Sequence, residues 1–182
     1  ALVVKLQCVP PTHAKNNVSP LMAVLHERWV LTLATTAPGE AAPHATPLFY
    51  AVVPGEHGEG PRLIFASRPD TTHGRHLGEG PTTVAAGLYL ESESIGELRG
   101  VQIRGEVVPV PLTSATAQAA YLARHPGAAA LLRPDARERL YALTVTWAKL
   151  TDNRLGFGYK QEWSFAAPAR VDADEDLPPL PV

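Results

Sequence analysis

The sequence predicts a mainly β protein, a mostly antiparallel barrel with a few short helices. About seven segments concentrate β-branched and large apolar residues over strand-length windows bounded by Gly and Pro. Two or three short helical patterns fall among them at irregular places, so strands do not alternate regularly with crossover helices as a doubly wound parallel sheet requires. One segment, Leu140–Leu150, alternates along its whole length, with Leu140, Ala142, Thr144 and Thr146 opposite Tyr141, Leu143, Val145 and Trp147.

Residues 1–17 show no clear period and contain Pro10-Pro11, which reads as a loosely attached lead-in. A single domain is expected over residues 18–167. Ser19-Pro20 marks a helix start, with a side-chain acceptor at the cap and a proline where its missing N–H costs nothing. Leu21, Val24 and Leu25 then form one apolar stripe that ends at Arg28. Trp29–Thr35 is the first expected strand, and Pro38-Gly39 supplies the turn after it. His44–Val53 and Arg62–Ser67 follow as strands, separated by a Gly/Pro-rich loop. A short helix is expected over Thr71–Leu77, ended by Gly78 and Gly80.

Thr82–Leu90 and Arg99–Val110 are the next strands. In the second, Val101 and Ile103 share one face and Gln102 and Arg104 the other. Thr113 or Ser114 caps an alanine-rich helix that runs to about Arg124. After Leu140–Leu150 a final strand is expected within Gly158–Phe165. Residues 168–182 place four acidic residues between Asp172 and Asp176 ahead of Pro178, Pro179 and Pro181, an exposed-tail composition.

Composition narrows the function. Hydrophobic residues make up 45% and charged residues 19%, an ordinary globular balance rather than a disordered one. A formal net charge of −2 gives no electrostatic reason to expect nucleic acid as a partner. Cys8 is the only cysteine, which excludes an intrachain disulfide and a multi-cysteine zinc site. No apolar run approaches the roughly 20 residues of a spanning helix, and Ala1–Leu6 is too short for a signal core. The expectation is therefore a cytoplasmic protein with no membrane partner. His73 and His76 stand three apart on a helix, but no HExxH or cysteine accompanies them, so no metal is expected.

Two segments carry a resemblance. They are Arg99-Gly-Val-Gln-Ile-Arg-Gly-Glu106 and Thr151-Asp-Asn-Arg-Leu-Gly-Phe-Gly-Tyr-Lys-Gln-Glu-Trp163. Together they resemble the YhbP-like bacterial branch of the pyridoxamine 5'-phosphate oxidase-related, FMN-binding split-barrel superfamily, and the resemblance runs from about Trp29 to Trp163. It implies a six- or seven-stranded antiparallel split β-barrel that forms a homodimer with two equivalent FMN sites at the subunit interface. It further implies a flavin-dependent oxidoreductase acting on an unidentified small substrate or a nicotinamide donor. The main chain of Thr46, Pro47 and Leu48 corresponds to the strand that runs along the flavin ring.

Ser67 keeps the hydroxyl that contacts the cofactor phosphate, while Thr72 and His73 stand where the oxidase has an Arg-Lys pair, and His76 is a weaker contact. Free N–H groups at a helix start favour a phosphate, and His73 or Arg75 supplies charge. The bland alternative is a polar turn in which Ser67, Thr71 and Thr72 merely cap the helix. Gln102, Arg104 and Trp163 correspond to positions near the flavin edge. The equally available reading of Gln102 and Arg104 is an exposed polar strand face. Asp152-Asn-Arg-Leu-Gly-Phe-Gly158 reads either as a pocket wall with Trp163 or as a tight turn held by Asp and Asn side chains. Gly156-Phe-Gly158 lacks the third glycine and the strand–helix setting of a dinucleotide fingerprint.

The oxidase proper grips its substrate phosphate with a tyrosine, an arginine four residues on and a serine four further. Here Tyr121 is followed by His125 and Ala129, with Arg124 one place out of register. Its C-terminal Arg-Leu-His-Asp-Arg segment has no counterpart after Trp163, so activity on pyridoxamine phosphate is not expected. No residue stands out as a general acid or base; the flavin would carry the chemistry. Two rivals share the fold: a non-catalytic binder of FMN or haem, the latter needing His44, His73 or His76 as axial ligand, and a structural dimer without cofactor.

Overall fold

The alternation along the strand segments is resolved by closure: the inward side chains fill a barrel, and only part of its outside is covered. The computed structural model describes residues 12–13, 17–56, 58–111, 114–133 and 137–167. In chain order the elements are β1 (Thr12–His13), α1 (Ser19–Glu27), β2 (Val30–Thr35), β3 (His44–Val53), β4 (Arg62–Ser67), α2 (Thr72–Leu77), β5 (Thr82–Leu90), β6 (Arg99–Val110), α3 (Ala115–Arg124), β7 (Arg139–Asp152) and β8 (Lys160–Ser164). Short 3-10 turns occupy Ile95–Glu97, Pro126–Leu132 and Asn153–Leu155.

Six strands close in the order β7-β4-β3-β2-β5-β6, with β6 returning to β7, and every one of these pairings is antiparallel. β8 adds a further antiparallel strand on β7 outside that ring, so the expected split barrel is the observed fold. β7 shows why it is split. One edge of β7 pairs with β6 along nearly its whole length, while the other serves β4 at Arg139–Thr144 and β8 at Trp147–Thr151.

At the fork the Val145 N–H donates to Pro61 O (3.0 Å) and the Phe165 N–H to Thr146 O (2.9 Å). Gly60 lies against this point, where a Cβ would overlap the Val145 carbonyl. A bulge between Arg104 and Gly105 takes up the register shift, and Gly105 likewise lies against the Thr144 carbonyl.

The interior is packed by Leu31, Leu33, Leu63, Phe65, Val84, Leu88, Val101, Ile103, Tyr141 and Leu143, among others. Phe65 and Tyr141, directly paired across β4 and β7, stack at 5.3 Å. Leu21, Val24 and Leu25 of α1 join this core, and the buried Tyr50 hydroxyl fastens the helix by donating to Leu25 O (2.7 Å). A second cluster lies outside the barrel, where Ala117 and Tyr121 of α3, with Ala128 and Leu132, cover Ala51, Val53, Ile64, Leu140 and Ala142. β7 is therefore buried on both faces from Leu140 to Val145, and its sequence alternation separates barrel interior from α3-covered exterior rather than core from water.

Two expectations about helix caps are corrected, and two contacts of the lead-in are added. The α1 cap residue is Val18, with Ser19 already helical; Asn17 Oδ1 accepts the Ser19 N–H (2.9 Å) in place of a Ser19 side-chain cap. At α3 the cap position is Ser114, and its side chain makes no cap hydrogen bond; Thr113 lies outside the described residues. Within the lead-in, Thr12–His13 pair in parallel with Gln161–Glu162, and Asn17 O accepts the Trp163 indole N–H (3.0 Å). Both ties join residues nearly 150 positions apart in sequence, which no local pattern reveals. The tail expected at residues 168–182 lies outside the described residues.

Candidate functional site

β4 ends at Ser67 because Arg68-Pro69-Asp70 turns the chain, the Arg68 guanidinium pairing with the Asp70 carboxylate. Thr71 then caps α2: its Oγ1 accepts the Gly74 N–H (3.1 Å) and donates to Arg68 O (2.8 Å). One early helix donor is thus spent on a cap, as the bland reading expected.

Beneath α2 lies a cluster of imidazoles and hydroxyls at one end of the barrel. His73, 6% exposed, shares a 2.5 Å hydrogen bond between its Nε2 and Ser67 Oγ. His76, its side chain only 3% exposed, engages Thr35 Oγ1 through Nδ1 (3.0 Å) and Glu40 through Nε2 (3.2 Å). His44 engages Thr46 Oγ1 through Nε2 (2.8 Å), stacks on His73 with centroids 6.2 Å apart, and meets His76 edge-on at 6.1 Å. Burial, reinforced by His44 and His76, pushes the His73 imidazole below its ordinary value and favours its neutral form. Among the described residues, no group of three or more His, Cys, Asp or Glu has the arrangement of a metal site.

The permanent charge at this corner is Arg75. Its Nη1 donates to Asp70 O (2.6 Å) and its Nη2 to Thr72 Oγ1 (3.3 Å), and it has no carboxylate partner among the described residues. Thr72 and Arg75 therefore stand together on the exposed side, with Ser67 and His73 below. Beside them, β3 has an open edge. It pairs with β2 from His44 to Phe49, but with β4 only from Tyr50 to Val53, since β4 has already turned away. The Tyr50 N–H to Trp29 O bond sets the alternation of main-chain directions, so Thr46 and Leu48 face β2, and within 46–48 only the Pro47 carbonyl is left without a described strand partner on the open side. His44 was expected only as a candidate haem ligand and not at the phosphate end; the two-residue spacing that puts it on one face with Thr46 was the available signal.

Gln102 and Arg104 lie apart from this corner, on the outer face of β6, exposed as their alternation predicts. Arg104 stacks on Trp147 of β7 (4.8 Å), which Lys149 also approaches (5.5 Å). Around Gln102 a shallow groove is lined by Gly87, Tyr89, Leu98, Gly100 and Thr151.

Trp163 is in a different environment from that expected. It is 5% exposed, belongs to the barrel core, and spends its N–H on Asn17, which makes it a packing residue in the isolated chain. The Asp152–Gly158 loop follows the turn reading. Asp152 accepts from Arg154 through N, Nε and Nη2, and Asn153 Oδ1 accepts the Gly158 N–H (3.0 Å). The Asn153 side chain also donates to Ile95 O (2.7 Å), stitching this loop to the β5–β6 connection.

At the positions where the oxidase proper holds its substrate, the side chains are committed elsewhere. Tyr121 of α3 is buried in the cluster against the barrel, Arg124 Nη2 donates to His26 O and Arg28 O while its guanidinium covers Trp29 (4.2 Å), and His125 Nε2 lies 2.9 Å from Tyr50 O.

A six-strand split barrel with a hydroxyl–imidazole corner and an open β3 edge defines a class of protein. The model of the pyridoxamine 5'-phosphate oxidase family matches residues 21–152, and the chain belongs to that family, within its YhbP-like branch. It is 32% identical over 101 residues to the UPF0306 protein YhbP of Salmonella paratyphi A, an alignment covering 55% of this chain and 65% of the relative. It is 31% identical over 100 residues to the UPF0306 protein plu4501 of Photorhabdus laumondii, covering 54% of this chain and 66% of the relative. The alignments thus span just under two thirds of these relatives' length.

Among solved structures, a heme binding protein from Mycobacterium smegmatis superposes with a TM-score of 0.65 at 20% identity, over 86% of this chain and 59% of that one. Rv2991 from Mycobacterium tuberculosis superposes with a TM-score of 0.58 at 18% identity, over 80% of this chain and 91% of that one. Likeness at such identity establishes the shared fold.

Proposed function

We propose that the protein binds FMN and acts as a flavin-dependent oxidoreductase on a small substrate or a nicotinamide donor, as a homodimer with the cofactor near the subunit interface. The observation that carries the reading is the edge of β3 at Ala45–Pro47, which β4 leaves unpaired, beside Ser67, Thr72 and Arg75. An unpaired strand edge offers N–H and C=O groups to the edge of a flat heterocycle, and a guanidinium without a carboxylate partner suits a phosphate. The donor set fits FMN with Arg75 in place of a two-cation grip. Bound there, the flavin would supply two-electron chemistry; the chain's residues would bind, orient and shield it.

The dimer reading rests on the outer face of β2, β5, β6 and the first half of β3. Thr32, Ala34, Ala45, Pro47, Ala85 and Gly87 form neighbouring positions on it. Phe49, 58% exposed, and Tyr89, 67% exposed, lie on the same face. A broad face of small residues edged by exposed aromatics suits close packing of a second copy. Light scattering at micromolar concentration should give twice the chain mass; a monomer would remove the interface from this reading.

Haem is less well served. Nε2 of His44, His73 and His76 is already engaged by Thr46, Ser67 and Glu40 respectively, so each would have to give up a partner to ligate iron. The visible spectrum of the purified protein with and without added FMN tests the choice. Two flavin bands are expected; a single intense Soret band would install haem instead, and a protein that ignores both would be the cofactor-free scaffold. Arg75→Ala is expected to weaken FMN binding by about tenfold or more, the size of one charge-assisted hydrogen bond. Unchanged affinity in a fluorescence titration would remove Arg75 from the site.

A further inference from the structure

We infer that binding of a phosphate monoester at the β4–α2 corner is coupled to proton uptake by the His44–His73–His76 cluster, so that cofactor loading in this protein is pH-dependent. The inference rests on the FMN reading above and concerns how the phosphate end of that site is charged. The His44 ring lies 6.2 Å from that of His73 and 6.1 Å from that of His76, centroid to centroid, and the latter two are nearly buried, with His73 bonded to Ser67.

The partners of these rings are what make the cluster titratable. Ser67 and Thr71 lie on His73, Thr46 on His44, and Thr35 on His76. A hydroxyl donates to a neutral ring nitrogen and accepts from a protonated one. The network can therefore gain a proton by rotating hydroxyls, without breaking its heavy-atom contacts.

The surrounding charges are few and mostly committed. Glu40, from the loop after β2, faces His76 and is half exposed. Arg68 and Asp70 pair with each other before α2, and Arg139 of β7 pairs with Glu79 after it. Arg75 extends from α2 to Asp70 O and Thr72. No carboxylate contacts His44 or His73 among the described residues, and burial, reinforced by His44 and His76, favours the neutral form of the His73 imidazole. A phosphate dianion held at Ser67, Thr72 and Arg75 reverses that balance, because an opposite charge at short range favours the imidazolium. By linkage, a site that takes up a proton with its ligand binds more tightly as pH falls.

The test is calorimetric titration of the whole protein with FMN near pH 7, repeated in buffers of differing ionisation heat, with riboflavin as the control that lacks the phosphate. Uptake of about half to one proton per FMN and none per riboflavin is expected. The second ionisation of the phosphate, near pH 6, works in the opposite sense, since selecting the dianion releases protons. His44→Gln should lower the uptake while leaving riboflavin affinity unchanged, a result that a purely structural His44 would not give.

FMN binding with no proton uptake, or full uptake retained in both His44→Gln and His73→Gln, overturns this inference and leaves the cofactor reading intact. Binding of neither flavin overturns both.

Discussion

Gly60→Ala is expected to be the most damaging single-methyl change among the barrel glycines. The added Cβ would overlap the Val145 carbonyl oxygen, come 2.9 Å from its carbonyl carbon and touch the Phe165 ring at 3.0 Å. Backbone cannot step aside as a side-chain tip can, and here it is pinned on both sides by the Val145 N–H to Pro61 O bond and the Phe165 N–H to Thr146 O bond. Those bonds mark the fork at which β7 passes from β4 to β8, so relief requires opening the split itself. Overpacking costs about 1–3 kcal/mol where side chains relax, and a site closed by backbone belongs at or above the top of that range. At about 2–4 °C per kcal/mol for a chain of this size, the melting temperature should fall by about 6–12 °C. Gly127→Ala, whose Cβ would meet nothing within 4 Å, is the control and should melt close to wild type. If the two variants melt alike, the fork is more pliable than the packing implies.

Asp152→Ala should also be costly, for an electrostatic reason. The carboxylate, on a residue 3% exposed, sits between Arg154, whose Nε and Nη2 donate at 2.9 and 2.8 Å, and Arg99, whose Nε lies 3.4 Å away. Arg154 is half exposed and can turn to water. Arg99 is nearly buried and would retain only Glu27 (2.6 Å). Because Arg99 keeps its Glu27 partner, the loss is that of charge-assisted hydrogen bonds, about 1–3 kcal/mol, which should appear as a lower urea midpoint.

The same group sets an acid dependence. Hydrogen bonds from Arg154, then the nearby Arg154 and Arg99 charges, hold the Asp152 carboxyl below the usual aspartate value against the opposing effect of burial. A folded value below the unfolded one, about 3.9, gives stability that is complete above it and is lost as pH falls through the folded value. The gap between wild type and Asp152→Ala should therefore close as pH drops below about 4. A gap that persists there would mean that the loss is one of packing rather than charge.

The strands of this protein were legible from sequence because half-buried strands advertise their period. His44–Val53, Arg62–Ser67, Thr82–Leu90 and Arg99–Val110 have the expected limits. Boundaries failed where a cap was decided by one residue, as at Val18 rather than Ser19. The outward placement of Gln102 and Arg104 was readable for the same reason as the strands. The role of Trp163 was not, because an aromatic residue near the chain end reads equally as pocket wall or core until its neighbours are known.

The candidate site divides in the same way. The family motif pointed to Ser67, Thr72 and His73, but it could not show that His73 is buried and bonded to Ser67 while Arg75 reaches Thr72. Nor could it bring in His44, Thr35 and Glu40, which come from separate strands and a loop and meet only at the barrel end.

By itself the sequence determined the class of fold, the strand faces and the local turn chemistry of Thr71 and Asp152–Gly158, all consequences of a period or of bonds between near neighbours. Only the tertiary structure decided which edge of β3 stays open, which cation stands beside Thr72 at the β4–α2 corner and which histidines share one environment. Those depend on strand order and on burial, and burial beside His44, which comes from a different strand, favours the neutral form of the His73 imidazole.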